Sequence, residues 1–191
     1  MRRILVTVAV LAGLCALPLL ANADAADGAR SAYVGQQSRD IKALSDEDIA
    51  ALRNADGMGL AKAAELNGYP GPRHVLALAR ELRLDENQTE QVSAIGDRMS
   101  AAARPLGAEL IERERDLDRL FARNEVTPEG LAAATAAIGE IQGRLRAAHL
   151  AAHLETRAVL TPEQIARYQE LRGYADAGAA SAGGHTAGHH H

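Results

Sequence analysis

The sequence of 191 residues contains one cysteine, one phenylalanine and no tryptophan. The cysteine, Cys15, lies in an apolar run near the N-terminus that we expect to be removed as a secretion signal. The remaining chain would then contain no thiol, which excludes disulfide bonds, zinc sites built on cysteine and cysteine nucleophiles. Because aromatic residues are so few and alanine and leucine so common, the composition favours helices that pack through small aliphatic side chains.

Basic residues are too few for a general nucleic-acid binder. The chain has 21 lysines and arginines against 25 aspartates and glutamates, a formal net charge of −4. Losing Arg2 and Arg3 with the N-terminal segment would make the charge more negative, whereas a nucleic-acid surface requires the opposite balance. No Ser/His/Asp set and no spaced pair of carboxylates stands out, so we expect neither nucleic-acid binding nor enzymatic activity.

The first 23 residues have the organisation of a secretion signal. Residues 1–3 (MRR) are basic, residues 4–20 are almost wholly apolar, and residues 21–23 (ANA) supply the small side chains of a cleavage site. The apolar run is short for a membrane span, which takes about 20 residues. We therefore expect cleavage after Ala23 and release into the periplasm, with no stable membrane insertion afterwards.

Four short stretches share the design of a helix start. In residues 160–165 (LTPEQI), Thr161 can act as N-cap, Pro162 fits the first helical position and Gln164 can bond back to the cap. Residues 44–49 (LSDEDI) and 84–88 (LDENQ) repeat this capping box. Residues 126–131 (VTPEGL) keep the cap but have glycine where the box residue should be. Each cap stabilises its helix by about 1 kcal/mol.

These starts divide the chain into helices, and no segment has the pattern of a strand. We predict short helices over 46–54 and 72–82, long helices over 86–122 and 128–158, and a last helix over 162–172. Apolar positions in the long helices step by three and four, and the link between them is short, which predicts an antiparallel hairpin. Pro105 predicts a bend in the first. The predicted fold is all-α: a long bent antiparallel helical hairpin with short flanking helices.

The same boundaries predict how the chain is organised. We expect a signal peptide over 1–23, a flexible N-terminal segment over 24–43 and a short-helix region with a Gly/Pro turn over 44–84. The helical hairpin domain would follow over 85–174. A flexible, histidine-rich tail would complete the chain over 175–191.

Two motifs of the form Leu-Thr-x-x-Gln place the sequence beside a known family. Residues 160–164 (LTPEQ) match this motif fully, and residues 84–88 (LDENQ) match it with aspartate for threonine. One motif precedes the first long helix and the other follows the second. Together with the signal segment and the all-helical pattern, they resemble the periplasmic Spy/CpxP family, whose relatives include ZraP and the CnrX-type heavy-metal sensors. The resemblance covers roughly residues 76–174.

The resemblance implies a small cradle-shaped protein, commonly a homodimer, that acts in envelope stress. Members act as ATP-independent chaperones for unfolded or envelope proteins, as modulators of a membrane sensor, or as metal-binding sensors. Our leading hypothesis is a chaperone or stress-response modulator that requires no cofactor. Its candidate client-binding strip consists of Arg104, Arg113, Arg119, Leu106 and Leu110. The alternative is that the charged residues of this helix form an ordinary solvated outer face. The negative net charge departs from the chaperone type, whose cradle uses basic residues beside apolar ones.

Histidines support the alternative hypothesis, a periplasmic protein that binds or senses a divalent transition metal: zinc, copper or nickel. His149 and His153 are four residues apart on the second long helix, so both imidazoles project from one face and could share a metal with a further ligand. Metal-sensing relatives in the resembled family use the same His-x-x-x-His pattern. The competing interpretation makes both histidines ordinary polar residues at the edge of the hairpin seam.

Other candidate ligands lie outside that pair. Met58 and His74 could hold a soft copper ion, or could be a buried methionine and a histidine at the exit of a turn. The tail is either a metal-capturing segment or an artificial purification tag, and it supplies four candidate ligands: His185, His189, His190 and His191. A third hypothesis, a purely structural envelope protein, needs no metal and no client.

Overall fold

The structure, a computed structural model, describes residues 31–175. Over this range the chain is helical and has no strand, which confirms the predicted all-α class. The helices are α1 (Asp46–Asn54), α2 (Lys62–Glu65), α3 (Pro72–Ala77), α4 (Glu86–Ala122), α5 (Pro128–Val159) and α6 (Pro162–Leu171), after a short 3-10 helix at Gln36–Ser38. Residues 31–37 belong to a small N-terminal unit, and α1 to α6 all belong to a second one.

No helix in the described range is long and apolar enough to cross a membrane. The predicted signal peptide, with Cys15, lies outside the described residues, as do the tail histidines His185, His189, His190 and His191.

The two long helices form the predicted hairpin and pack against each other along their length. Helix α4 continues through Pro105 without interruption, and the chain turns at Asn124, whose φ of 56° is left-handed. Thr127 then caps α5 by accepting a hydrogen bond from the Gly130 N–H at 3.1 Å. As predicted, this cap has no box residue, since glycine carries no side chain to bond back.

One apolar cluster fills the middle of the hairpin beneath α1. Its buried members come from α1, α4, α5 and the segments flanking α1: Ile41, Leu52, Ala55, Ala103, Leu106, Leu110, Ile111, Ile138, Ile141 and Leu145. Leu106 and Leu110 are only 9% and 5% exposed. The client-binding strip predicted from the sequence is therefore wrong in its apolar half, because these leucines face the core rather than solvent.

A second apolar cluster joins α3, the start of α4 and α6 at the base of the hairpin. Its buried members are Val75, Leu82, Val92, Leu160 and Tyr168, with Ile165 and Leu171 packed against them. Since side chains from residues 72–84 lie in this cluster, the short-helix region and the hairpin share one hydrophobic core at the base of the hairpin.

The two glutamines of the paired motifs bind each other across this base. Gln88 Nε2 donates to Gln164 Oε1 at 2.8 Å, and Gln164 Nε2 donates to Gln88 Oε1 at 2.9 Å. Each amide also closes its own capping box, with Asp85 and Thr161 as the caps. Each has a further backbone acceptor, the Val159 carbonyl for Gln88 and the Leu82 carbonyl for Gln164. The motifs are thus a reciprocal lock between the start of α4 and the start of α6.

Helix α3 is shorter than the predicted 72–82. It ends at Ala77, and turns follow to Arg83, whose φ of 53° is left-handed. The Leu84 N–H then bonds to the Ala79 carbonyl oxygen at 2.9 Å, which aims the chain into the Asp85 cap of α4. The helix ends early because a continuous helix could not make this reversal. Helix α2 has no counterpart among the helices predicted from the sequence.

The packing of α1 on α4 depends on the absence of a side chain at Gly107. A Cβ there would lie 2.9 Å from the Leu52 carbonyl carbon and closer still to its oxygen, and backbone cannot move aside cheaply. We expect Gly107→Ala to lower the free energy of unfolding by at least 1–3 kcal/mol, the usual cost of overpacking. Urea denaturation of this variant would test the prediction.

Gly143→Ala is the matched control for Gly107, because nothing lies within 4 Å of a Cβ at position 143. In the middle of α5 this change should stabilise the protein by up to about 1 kcal/mol through helix propensity. Equal effects of the two substitutions would contradict the proposed close contact.

Because Gln88 and Gln164 bind each other, substitutions of the two should have coupled effects on the free energy of unfolding. Removing one amide leaves the other's groups unpaired in a half-buried site, at a cost of about 1–3 kcal/mol. A double-mutant cycle of Gln88→Ala and Gln164→Ala should therefore show a coupling energy of at least about 0.5 kcal/mol in urea denaturation. Thr161→Ala, which removes only a cap, should cost about 1 kcal/mol. Additive effects of the two glutamine substitutions would refute the lock.

Candidate metal centre

The structure brings His149 and His153 to the wall of one cavity. This cavity has a volume of about 110 Å³ and lies between α5, the start of α3 and α4. His74 of α3 and Met99 of α4 line it as well. The cavity thus collects three imidazoles and a thioether from three helices, and we call it the histidine cavity.

His149 is the most buried polar side chain of the cavity. It is 3% exposed, and its Nε2 has no hydrogen-bond partner. Burial lowers the pKa of His149 below the ordinary imidazole value, and the charges of His153 and Arg73 act in the same direction. The ring is therefore neutral at pH 7, and its Nε2 is buried without a partner. His149 is therefore not an exposed polar residue at the edge of the hairpin seam, as the competing interpretation had it.

His153 is oriented by a backbone carbonyl. Its Nδ1 lies 2.7 Å from the Tyr69 carbonyl oxygen. Because a carbonyl oxygen can only accept, Nδ1 carries a proton, and Nε2 is the nitrogen that can offer a lone pair. Metal-binding histidines commonly have this arrangement, in which the second nitrogen donates to a carbonyl and fixes the ring.

The loop that carries Tyr69 is held against α5 at two further points. Arg157 donates to the Gly68 carbonyl oxygen, and its guanidinium lies 4.5 Å from the centre of the Tyr69 ring. Gly71, the last residue before α3, packs against His153: a Cβ there would lie 2.8 Å from Cε1 and Nε2 of the ring. The loop therefore positions His153 from both edges and presents His74 at the start of α3.

Glu65 of α2 links the histidine cavity to the C-terminal helix. Its Oε1 accepts from the Tyr168 hydroxyl at 2.6 Å and from the Tyr174 hydroxyl at 3.2 Å. Its Oε2 is buried without a hydrogen-bond partner and lies 3.7 Å from His153 Nδ1. His74 Nδ1 lies 3.9 Å from Oε1. One carboxylate thus faces two of the three imidazoles while it holds two tyrosines.

A second, more open cavity of about 330 Å³ adjoins the first and shares its lining residues Gly57, His74 and His153. Met58, which is 44% exposed, and Glu65 line this outer cavity. The two residues of the predicted copper pair, Met58 and His74, are therefore placed around one opening. Met58 is not the buried methionine of the competing interpretation.

Among residues 31–175, no three His, Cys, Asp or Glu side chains stand together as a finished ligand set. The histidine cavity offers instead the orphaned Nε2 of His149, the lone pair of His153 Nε2 and the neighbouring Met99 thioether. This donor set fits a transition metal, for which imidazole and thioether are suitable ligands.

Sequence reasoning missed two residues of this region. Met99 fits the apolar spacing of α4, and nothing local distinguishes a methionine that packs in the hairpin from a ligand. Glu65 lies in a short helix that no pattern predicted, and its partners are 88 to 109 residues away in sequence or on other elements. Only the packing of the loop on α5 reveals either residue.

A family model described as heavy-metal resistance matches residues 59–167. The chain belongs to the heavy-metal resistance family. This family belongs to the clan of Spy/CpxP/ZraP-like helical proteins, which confirms the resemblance at the level of the clan. The matched region contains His74, Met99, His149 and His153, the four possible ligands of the histidine cavity. No curated protein and no solved structure matches the chain.

Tyr168 gives this region a testable pH dependence. Burial and the hydrogen bond to Glu65 raise the pKa of Tyr168 above its ordinary value. A raised pKa in the folded state contributes stability that is complete below the unfolded value of about 10 and is lost as the pH rises above it. We expect the free energy of unfolding to fall above about pH 10, and Tyr168→Phe to remove part of that fall.

At pH 7, Tyr168→Phe should cost about 1.5–3 kcal/mol, because it removes a hydrogen bond to a charged group. Tyr174→Phe, whose hydroxyl is farther from Glu65, should cost less. Urea denaturation of both variants at pH 7 and pH 10.5 would check these values, and an unchanged alkaline slope in Tyr168→Phe would contradict the assignment.

Proposed function

We propose that this protein is a periplasmic heavy-metal binding protein that holds a transition metal ion in the histidine cavity. His149 and His153 would be the two imidazole ligands, with Met99 beside them and His74 at the opening. The role is binding and sensing rather than catalysis. The observation that carries the proposal is a neutral, buried imidazole whose Nε2 has no partner, on the wall of a cavity, in a chain of the heavy-metal resistance family.

The energetic cost of His149 supports this role. A buried polar group without a hydrogen bond destabilises the folded state by about 1–3 kcal/mol, and a leucine of similar volume would avoid that cost. A residue that costs stability where an apolar one would fit is typical of a functional site. A metal would supply the missing partner of Nε2.

The roles of the other residues follow from their contacts. The Tyr69 carbonyl keeps the proton of His153 on Nδ1 and so leaves Nε2 for the ion. Glu65 faces His153 and His74 at the outer cavity, and its charge is balanced by Arg172, whose Nε lies 3.6 Å from Oε1. Gly71 leaves room for the ring.

The family favours metal binding over our leading expectation, an ATP-independent chaperone or stress modulator. The chaperone role stays a prediction. Two residues of its candidate client-binding strip, Leu106 and Leu110, are buried in the core. The homodimer, the envelope partners and the capturing role of the tail also stay predictions.

Metal titration of the full chain tests the proposal. Four tail histidines could bind metal themselves, so the background protein should carry alanine at each of them: His185, His189, His190 and His191. Calorimetric titration with copper, zinc and nickel should detect one site on this background. No binding tighter than that of an unstructured histidine peptide would refute the proposal.

His149→Leu separates a ligand from a structural residue. We expect metal affinity to fall at least about 10-fold, the loss that even an outer-shell partner can cause. Thermal unfolding of the metal-free variant should be unchanged or shifted upwards, because the unpaired nitrogen is gone. His153→Asn, which keeps a donor for the Tyr69 carbonyl and removes Nε2, should weaken binding similarly. Parental affinity in both variants would count against the site.

Gly71→Ala tests the geometry without removing a ligand. Its Cβ would displace the His153 ring, so affinity should fall while the protein stays folded. Gly139→Ala, on α5 with nothing within 4 Å of its Cβ, should leave affinity unchanged. Circular dichroism of both variants would confirm that helix content is retained.

A further inference from the structure

The histidines and methionines of the described chain are gathered in one place. Residues 31–175 contain three histidines and two methionines, and all five line the histidine cavity or the outer cavity: His74, His149, His153, Met58 and Met99. The two cavities share the side chains of His74 and His153, and each has one methionine. Residues 31–175 contain no thiol, so their softer donors are these imidazole and thioether groups, which line two adjoining cavities.

The charges around the histidine cavity indicate which kind of ion it would favour. No carboxylate lines it, and the one charged residue on its wall is Arg73. Arg73 is ion-paired with Asp56 at 2.7 Å. Glu65, whose Oε2 lies 3.7 Å from His153 Nδ1 on the side of the outer cavity, is ion-paired with Arg172 at 3.6 Å. Neither pair therefore adds net negative charge. Bringing a divalent ion to neutral ligands leaves two uncompensated charges in a buried site, whereas a monovalent ion leaves one. The cavity thus favours a monovalent ion.

The sulfur of Met99 selects in the same direction. Thioether ligands prefer Cu⁺ over the harder divalent ions, which prefer imidazole with carboxylate, carbonyl or water. Met99 is half-buried on α4, opposite the face of α5 that carries His149 and His153, and it lines the cavity with both. Leucine could fill the position of Met99 as well as methionine does, yet the chain has a soft sulfur donor there beside two imidazoles.

Met58 has the position of an outer donor. It is 44% exposed on the wall of the outer cavity, and its φ of 44° is left-handed, a conformation that costs a residue other than glycine about 1–3 kcal/mol. Gly59 beside it has a φ of 76°. The chain keeps a large apolar side chain at a strained, exposed position where glycine or asparagine would be favoured, and the strained position places a thioether at the opening.

We propose that the site is selective for monovalent copper, with Met99, His149 and His153 as the inner ligands and Met58 as the donor that first receives the ion at the opening. This inference rests on the proposed function, because it names the ion for the same cavity. Silver, as Ag⁺, has the same charge and the same preference for sulfur and nitrogen and does not change oxidation state in air. It is therefore the first probe.

The test compares monovalent and divalent ions on the full chain with alanine at the four tail positions. Competition titrations with Ag⁺, with Cu⁺ kept reduced by ascorbate, and with Zn²⁺ and Ni²⁺ should give the tightest binding for the two monovalent ions. Met99→Leu, a swap of similar volume that cores tolerate, should weaken Ag⁺ and Cu⁺ binding at least about 10-fold and leave Zn²⁺ and Ni²⁺ within about 3-fold. Met58→Leu should slow Ag⁺ loading and change the final affinity little.

A direct readout uses protein labelled at the methionine methyl carbons. The NMR signals of Met58 and Met99, assigned with the two leucine variants, should both move on addition of Ag⁺, and Met99 should move in proportion to occupancy. If Zn²⁺ or Ni²⁺ binds more tightly than Ag⁺, or the Met99 signal does not move, selectivity for monovalent copper is overturned while the metal site stands. If no ion binds to the cavity, the proposed function fails as well.

Discussion

The hydrogen bond between His153 and the Tyr69 carbonyl oxygen joins parts of the chain that are 84 residues apart in sequence. It attaches the loop before α3 to the C-terminal part of α5, and it decides which imidazole nitrogen of His153 carries the proton. His74 follows five residues after Tyr69, so its position at the opening also depends on this attachment. Without the loop, α5 would present two histidines on an open helix face, and no cavity would form around them.

Glu65 extends this dependence to the base of the hairpin. The same carboxylate faces His153 through Oε2 and holds Tyr168 through Oε1. Tyr168 is fully buried in the second apolar cluster, so the position of α6 and the charge beside the cavity are set by one side chain. The candidate metal centre is therefore part of the packing between α2, α5 and α6 rather than an addition to the protein surface.

Local chemistry explains which features could be predicted. The start of every helix after residue 44 that begins with a side-chain cap was found, because a cap and its box lie within four residues of each other. The early end of α3 was not, since the left-handed turn at Arg83 serves the entry into α4. The spacing of His149 and His153 predicted a shared face, but Met99 resembles any seam residue and Glu65 has its partners far away in sequence. The grouping of these side chains around the two cavities is defined only by tertiary packing.

The charge pattern of the site also has no local signature. Arg73 and Asp56 are 17 residues apart and cancel each other only because α3 packs beside the end of α1. The pKa of His149 is lowered chiefly by burial, which depends on both long helices. The metal preference that we propose thus depends on the folded arrangement, although each donor residue is visible in the sequence.

The reciprocal pair of Gln88 and Gln164 limits how the protein can change length. Each glutamine is tied to the start of its own helix, and one lies at the beginning of the hairpin while the other follows its end. A residue inserted in α4 alone would advance that helix by 1.5 Å and rotate all that follows by about 100°, against a partner still fixed at the base. Insertions and deletions in this hairpin are therefore tolerable only as matched changes in both arms, or in the loop at residues 123–127, farthest from the lock.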